Sequence, residues 1–536
     1  MKEFNTTAIC IPEKHYMVDL SERVKEIRKL VDAGKYFTIS RARQYGKTTT
    51  LKALQKELEK EYQVLSISFE GITKANFSSE QSFVKAFCRL LKRNPLLYKG
   101  IPENIKSQIN EYIQRKEEKA EMDELFITLE DWCAESDTPL VMMIDEVDSA
   151  ADNQIFLDFL GQLRAGYIAR EADGISFFRS VILAGVTDVR HLKSKIRDED
   201  QHKVNSPWNI AADFDIDMSL SESGIKGMLD DYEKDHLTGM DTAAIAKQIR
   251  EYTNGYPYLV SRICQIIDTK LVPEKFKDHG AAWRTYGVDE AVRLLLSETD
   301  NTLFESLTGK LMNCPVLKRQ LRNILLRGDV YAWLPYDEEQ QQLRMYGFIR
   351  NEHNTVAVSN RVFEMLLYVH FIGENDANNP LKQSAAAERS VFIDEDGYLN
   401  VPRIMEHFIR EYQRIHKTAD DEELEKRFSE EEGRERFLTY LAPIINGTGT
   451  YSIEEQTRDH KRMDLVIHYK GRREIIELKI WHGMKYNEDG EKQVSEYLDR
   501  FGLHVGYMLS FSYIKNKTPE VTLVHVEDKI LYEGIV

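Results

Sequence analysis

Long apolar runs are missing from this sequence. Segments such as Pro139 to Ile144 and Val181 to Val186 stop far short of the about 18 consecutive apolar residues that a membrane-crossing helix needs, so no transmembrane segment is expected. The start, Met1-Lys2-Glu3-Phe4-Asn5, leads into no apolar signal core, which makes the cytoplasm the expected location. Cysteine is scarce. The five at positions 10, 88, 133, 264 and 314 are odd in number and widely spaced, which fits neither a disulfide framework nor a zinc knuckle. An excess of positive charge is lacking too: 72 Lys and Arg face 89 Asp and Glu, and a net charge of -17 argues against broad affinity for polyanions while leaving room for a local basic groove. No internal repeat is visible.

What is present is ordinary globular composition, 42% apolar and 30% charged over 536 residues. At roughly 150 residues per domain that length implies about three or four units. Val24, Ile27, Leu30 and Val31 fall at helical spacing within residues 20–33, Tyr36 to Ile39 reads as a strand, and Lys47 to Leu58 is helical. Further strands are expected at Val64–Phe69, Leu140–Ile144, Val181–Gly185 and Phe214–Met218. Strands alternating with helices imply a parallel sheet covered on both faces, so residues 1–220 read as an α/β domain. Residues 221–299 are helical and suit a lid. Over 300–372 two helices, one around Leu317–Leu326, precede a hairpin from Tyr346 to Val358 turning at His353-Asn354, and a last helix starts at Val362; this order suggests a winged-helix module. Residues 373–389 are polar and read as a linker. The remainder, 390–536, includes a charged helical piece, Asp420 to Arg436, and then strands at Met463–Tyr469, Arg473–Ile480, Val505–Phe511 and Val521–Val526 with a helix near Glu491–Phe501: a second α/β unit.

Two motifs in the first domain point to nucleotide chemistry. Gly46-Lys47-Thr48, between a strand and a helix, is the working end of a phosphate-binding loop: backbone N–H groups face the β-phosphate, Lys47 neutralises the β and γ oxygens, and Thr48, with Thr49 beside it, opens the helix and ligates Mg²⁺. Arg41 stands where the first glycine of G-x-x-x-x-G-K-[ST] is usual. The second motif, PLVMMIDEVD at 139–148, is an apolar strand ending in acids at the crevice where α/β sheets bind ligands. Asp145 is placed to hold magnesium and Glu146 to activate water. A solvated acidic turn is the plain alternative. The loop from Ser40 to Thr48 resembles the reduced Walker A of AAA-like ATPases of the archaeal-ATPase and STAND-related group, within the ASCE class. The resemblance extends to Leu183–Val189, where it implies a sensor at Thr187 or Asp188, and to Asn254–Leu259 in the lid, where it implies Arg262 near the nucleotide. It also implies an arginine finger and possible homo-oligomers; Arg179, Arg190 and Arg197 are all candidates for the finger.

The carboxy-terminal unit carries the other chemical signal. A hairpin of Met463–Tyr469 and Arg473–Ile480 about a Lys470-Gly471 turn sets Asp464 opposite Glu477, with Cβ atoms about 4.5–5.5 Å apart, near enough to share a divalent cation, and Lys479 projects from the same face as Glu477. Two acids and a lysine suit metal-dependent phosphodiester hydrolysis. The pattern resembles the PD-(D/E)XK nuclease superfamily. That resemblance implies a further metal-ligating acid on the preceding helix, Glu435 ahead of Glu431, and support from Gln493 and Tyr497. Arg458, His460, Lys461, Arg462, Arg472 and Arg473 flank the pair and read equally as phosphate contacts or solvated charge. Lys318, Arg319, Arg322 and Arg327 are the basic residues around the second middle-domain helix.

The leading expectation is an ATPase, using ATP and Mg²⁺, joined to a nuclease that uses Mg²⁺ or Mn²⁺ on nucleic acid, DNA ahead of RNA. Defence against phage or mobile elements follows from the resemblance alone. The other expectation is a nucleotide-switched scaffold whose last domain binds without cutting.

Overall fold

A computed structural model of the chain describes residues 2–115, 121–150, 153–187, 189, 207–327, 329–373, 379–416, 430–445, 449–452, 465–480, 484–511 and 520–536. The chain divides into two compact units, one of Met1–Arg250, Gly255–Gln265 and Gln340–Phe348, the other of Glu251–Asn254, Ile266–Glu339 and Ile349–Val536.

The first unit is built on a parallel sheet of β1 (Phe37–Ser40), β2 (Gln63–Ser68), β3 (Leu140–Asp145) and β4 (Ser180–Gly185), in the order β1-β4-β3-β2. Because β3 and β4 are apolar at successive positions, each supplies both faces. Val141, Met143, Ile182 and Ala184 pack with Val24, Ile27 and Val31 of helix α1 (Ser21–Asp32) and Leu51, Leu54 and Leu58 of helix α2 (Lys47–Leu58). Met142, Ile144, Val181 and Leu183 pack on the other side against Phe83, Phe87, Leu129, Phe156 and Phe159 from the long intervening helices. Each such large side chain contributes about 1.5–3 kcal/mol by leaving water.

The strand expected at Phe214–Met218 does not form. Among the described residues one bridge, Phe37 to Ala212, extends the sheet beyond β1. Phe214 and Met218 are buried as a strand's inward residues would be, but the Ile216 carbonyl accepts from Arg41 at 2.9 Å instead of from a neighbouring strand. Asp217 then closes a turn by accepting from the Ser219 N–H at 2.8 Å and its hydroxyl at 2.7 Å.

In the second unit, helices Thr302–Met312 and Pro315–Arg322 lead through a wider turn at Asn323–Arg327 to a hairpin of β5 (Ile349–Glu352) and β6 (Thr355–Val358) and then helix Arg361–Gly373. The hairpin turns at His353 and Asn354, both with positive φ, where the sequence places them. Part of the stretch expected as a linker is a helix, Pro380–Ala387, capped by Asn379 and burying Leu381 and Ala385. Of the piece Asp420 to Arg436, only the part from 430 on falls among the described residues, as the start of helix Glu430–Ile445.

The carboxy-terminal sheet has the order β11-β12-β10-β9-β8-β7, formed by β7 (Gly449–Ser452), β8 (Leu465–Tyr469), β9 (Arg472–Ile480), β10 (Val505–Phe511), β11 (Val521–Val526) and β12 (Lys529–Ile535). Strands β7 and β12 are additions to the sequence reading. Leu465 pairs with Ile476 and Tyr469 with Arg472, the register set by a turn at Lys470 and Gly471, both with positive φ. β9 and β10 run parallel, joined by helix Met484–Phe501.

Candidate functional site

In a parallel sheet all carboxyl ends lie together, and the order β1-β4-β3 places the loops after these three strands side by side. The loop after β1 ends at Gly46, which caps α2 with φ 76 and ψ 18, a left-handed conformation that costs glycine little. Lys47 is buried and donates to the Arg41 and Ala42 carbonyls, each at 3.0 Å, so the loop wraps around its ammonium. Burial pushes the Lys47 pKa down, against the opposing pull of Glu146, Asp148 and Asp145. Thr48 Oγ1 donates to Asp145 Oδ2 at 2.7 Å, joining the two motifs across the sheet. Asp145 Oδ1 accepts from the Glu146 N–H at 2.9 Å, and Glu146, at φ 55, turns the chain away from β3. Burial, then the neighbouring Asp145, raises the Glu146 pKa above the usual carboxylate range.

The substitution at Arg41 is accommodated away from the loop interior. Its guanidinium donates to the Ser40 and Ile216 carbonyls, each at 2.9 Å, and lies 5.4 Å from the centre of the Phe214 ring, itself stacked on Phe37.

These features, a glycine-capped helix, an enclosed lysine and a threonine bonded to an aspartate at the end of an adjacent buried strand, coincide with a sequence match: residues 12–276 match the family model of the AAA-like domain. This part of the chain is an AAA-like P-loop domain. No curated protein matches the chain. Among solved structures, a Walker-type ATPase of Pyrococcus abyssi is 16% identical, covers 68% of this chain and 99% of its own, and has a TM-score of 0.44. Cdc6p of Pyrobaculum aerophilum is 14% identical over 68% of this chain and 95% of its own, with a TM-score of 0.32. The ORC2 protein of Aeropyrum pernix in its ADP form is 11% identical over 68% of this chain and 97% of its own, with a TM-score of 0.33.

Within the AAA-like domain, Tyr256 and Pro257 pack on the phosphate loop. The Tyr256 hydroxyl donates to the Arg43 carbonyl, its ring meets Tyr45 edge-on at 4.8 Å, and a Cβ on Gly46 would come within 3.8 Å of Pro257. Gly255, at φ 70, passes so close to Leu220 that a Cβ would sit 2.2 Å from its carbonyl oxygen. An open pocket of about 60 Å³ lies beside Gly46 and Thr49, lined also by Cys10, Val18, Leu20, Met228, Pro257 and Ser261.

The remaining expected residues have partners of their own. The Thr49 hydroxyl accepts from the Cys10 N–H at 3.2 Å, tying down the amino-terminal strap rather than facing the Asp145 carboxylate. Arg262 donates to Gln265 at 2.5 Å, and Gln265 in turn donates to the Phe4 carbonyl at 3.1 Å. Arg179 precedes β4 and donates to the Asp32 carbonyl, at the end of the sheet opposite the phosphate loop. Thr187 stands at the tip of β4, its N–H held by Asp148 at 2.7 Å. Asp188, Arg190 and Arg197 lie outside the described residues. Asp148 was not singled out from the sequence, although its place three residues after Asp145 was the available signal.

At the carboxy-terminal constellation, Asp464 and the basic stretch from Arg458 to Arg462 lie outside the described residues. Glu477 is 2% exposed in the middle of β9, and its Oε1 lies 3.6 Å from Lys479 Nζ. Both face helix Met484–Phe501: a Cβ on Gly490 would meet Lys479 Nζ at 3.2 Å, and Tyr497 of that helix packs with Ile475 in the core. Nothing is described of the Glu431 and Gln493 side chains. Glu435 is not brought to Glu477. Its helix, Glu430–Ile445, sets Gly433 against Phe511, on the face of β10 that continues Leu478 rather than Glu477. Its carboxylate is ion-paired with Arg322. Among the described residues no three acids, histidines or cysteines gather as a metal site. Arg472 stacks on Tyr398 at 3.5 Å from the ring centre. His468 Nε2 accepts from the Arg361 guanidinium at 3.1 Å, and burial, then Arg361 and Arg473, push its pKa well below 6.5.

Proposed function

We propose that the AAA-like domain binds ATP with Mg²⁺ and hydrolyses it, and that the carboxy-terminal sheet domain is the effector it controls. The observation that carries the first part is the 2.7 Å bond from Thr48 to Asp145 beside Glu146. Those two oxygens are hard donors of the kind Mg²⁺ takes, so the residues present fit the ion. Bound there, it would neutralise phosphate charge. Lys47 keeps one of its three N–H donors beyond the two given to the loop carbonyls, and that donor serves a phosphate oxygen. The α2 N-terminus adds backbone N–H groups and a positive dipole end. Glu146 accepts the proton of the attacking water, and its raised pKa makes it a better base than an ordinary carboxylate. Phosphate release from ATP that is lost in both Lys47→Ala and Glu146→Gln, with ATP binding kept in Glu146→Gln, is the expected result; equal turnover in Glu146→Gln overturns the assignment.

For the effector we favour a metal-dependent nuclease of PD-(D/E)XK type acting on DNA, with Asp464, Glu477 and Lys479 as its residues and the helix–hairpin–helix segment before it as a winged-helix module. Support comes from the β8–β9 register and from Glu477 and Lys479 sharing one face. Glu477 is the only described carboxylate of that set, so no metal-borne step is derived. Defence against foreign DNA is the role this pairing of domains suits. The expected result is plasmid cleavage with Mg²⁺ or Mn²⁺ that survives Lys47→Ala and vanishes in Asp464→Ala. The pairing of Glu435 with Arg322 favours a second reading, a scaffold that binds without cutting; absence of cleavage with every metal, together with ATP-dependent assembly, would establish it.

A further inference from the structure

Between the two motifs of the nucleotide site lies a carboxylate with no role in the reading above. Asp148, in the turn after β3, accepts from two successive backbone groups at the tip of β4: the Val186 N–H at 2.6 Å and the Thr187 N–H at 2.7 Å, one on each oxygen. On the other side of the tip, Ser40, the last residue of β1, donates from its hydroxyl to the Thr187 carbonyl at 3.3 Å. Thr187 is thus held by its N–H from the strand that carries Asp145 and by its carbonyl from the strand that leads into the phosphate loop. The neighbouring Gly185 leaves room for this arrangement, since a Cβ there would lie 3.0 Å from Asp148 Oδ2 and 2.9 Å from Val147 Cγ2. Charge-assisted bonds to a paired set of amides are short and directional, and they restrain the tip more tightly than neutral turn bonds would.

We propose that Asp148 is a positioning residue for ATP hydrolysis, setting Thr187 between the phosphate loop and Glu146 so that its hydroxyl reaches the γ-phosphate end of the site. Asp148 touches neither nucleotide nor metal in this role; it acts through Thr187. The inference rests on the domain being an ATP hydrolase, and it deepens that reading.

A mere turn-closing role for Asp148 predicts lost stability and little else. The test is therefore a kinetic cycle on the full chain with Asp148→Asn, Thr187→Val and the double variant, measuring phosphate release and ATP affinity. Asparagine keeps the shape but turns an amide donor toward one of the two N–H groups. The expected result is a fall in kcat of about tenfold or more in Asp148→Asn with the ATP Kd within about threefold of wild type, and almost no further fall when Asp148→Asn is added to Thr187→Val. Gly185→Ala, which crowds Asp148 from the opposite side, is expected to give the same split. Equal losses in both Thr187 backgrounds, or a Kd that rises in step with the loss of kcat, would overturn the proposal. Wild-type turnover unchanged by Asp148→Asn overturns the inference alone. Wild-type protein that binds ATP and releases no phosphate overturns the hydrolase reading and this inference with it.

Discussion

The phosphate-loop end of the β1–β4 sheet and the β8–β9 corner of the carboxy-terminal sheet were both read from short acidic motifs, yet they differ in how much structure stands behind each motif. At the first, three parallel strands deliver their following loops to one place, and Thr48, Asp145, Glu146 and Thr187 converge because the topology leaves them no other location. At the second, an antiparallel hairpin determines only which residues face each other. A third ligand has to be brought by packing, and the helix that carries Glu435 packs on the other face. A motif at the ends of parallel strands therefore says more about its surroundings than one in a hairpin.

The largest expected effect separates Glu477 from Glu435. Glu477→Gln should abolish metal-dependent cleavage by about 10²-fold or more, while Glu435→Gln leaves it within about threefold; a nuclease assay in which both variants are dead would erase the contrast between the two faces. Next, Gly46→Ala forces an alanine into the left-handed region, at a cost of about 1–2 kcal/mol, with its Cβ in ordinary van der Waals contact with Pro257. Its signature should be ATP binding weakened by about tenfold with a small change in melting temperature, and a large drop in melting temperature would show that the loop is not preorganised as described.

His468 tests the second unit by pH. The folded state keeps it neutral, whereas an unfolded chain protonates it below about 6.5, so stability falls as pH drops below that value, by about 1.4 kcal/mol per unit until the lowered folded-state pKa is reached. Denaturant melts between pH 7.5 and 5.5 should show this slope, and His468→Gln should remove it. The smallest effect is expected for Arg322→Ala. Its pair with Glu435 is partly exposed, so the loss should stay below about 1 kcal/mol by urea unfolding, and a larger loss would mean the contact organises the domain.

The uninterrupted apolar runs of β3 and β4, the helical spacing of α1 and the turn residues His353-Asn354 and Lys470-Gly471 were legible because each depends on chain-local rules: the continuous apolar run of a strand buried on both faces, helix period and backbone conformations that Gly and Asn tolerate. Phe214–Met218 misled because its alternation is genuine and serves burial, while the guanidinium of Arg41 occupies a carbonyl that a sheet partner would have used. The polar segment read as a linker hid helix Pro380–Ala387, whose two buried residues are too few to give a periodic signal.

The sequence by itself determined which residue types stand at the strand ends and the helix starts, and hence that a phosphate loop and an acidic strand end both exist, since these follow from spacing along the chain. Only the tertiary structure decided that Thr48 meets Asp145, that Arg41 turns outward to Phe214, that Asp148 holds the tip of β4 and that Glu435 is paired with Arg322. Those are contacts between residues tens to more than a hundred positions apart or between side chains and backbone, and no local period encodes which of the available partners a buried polar group will take.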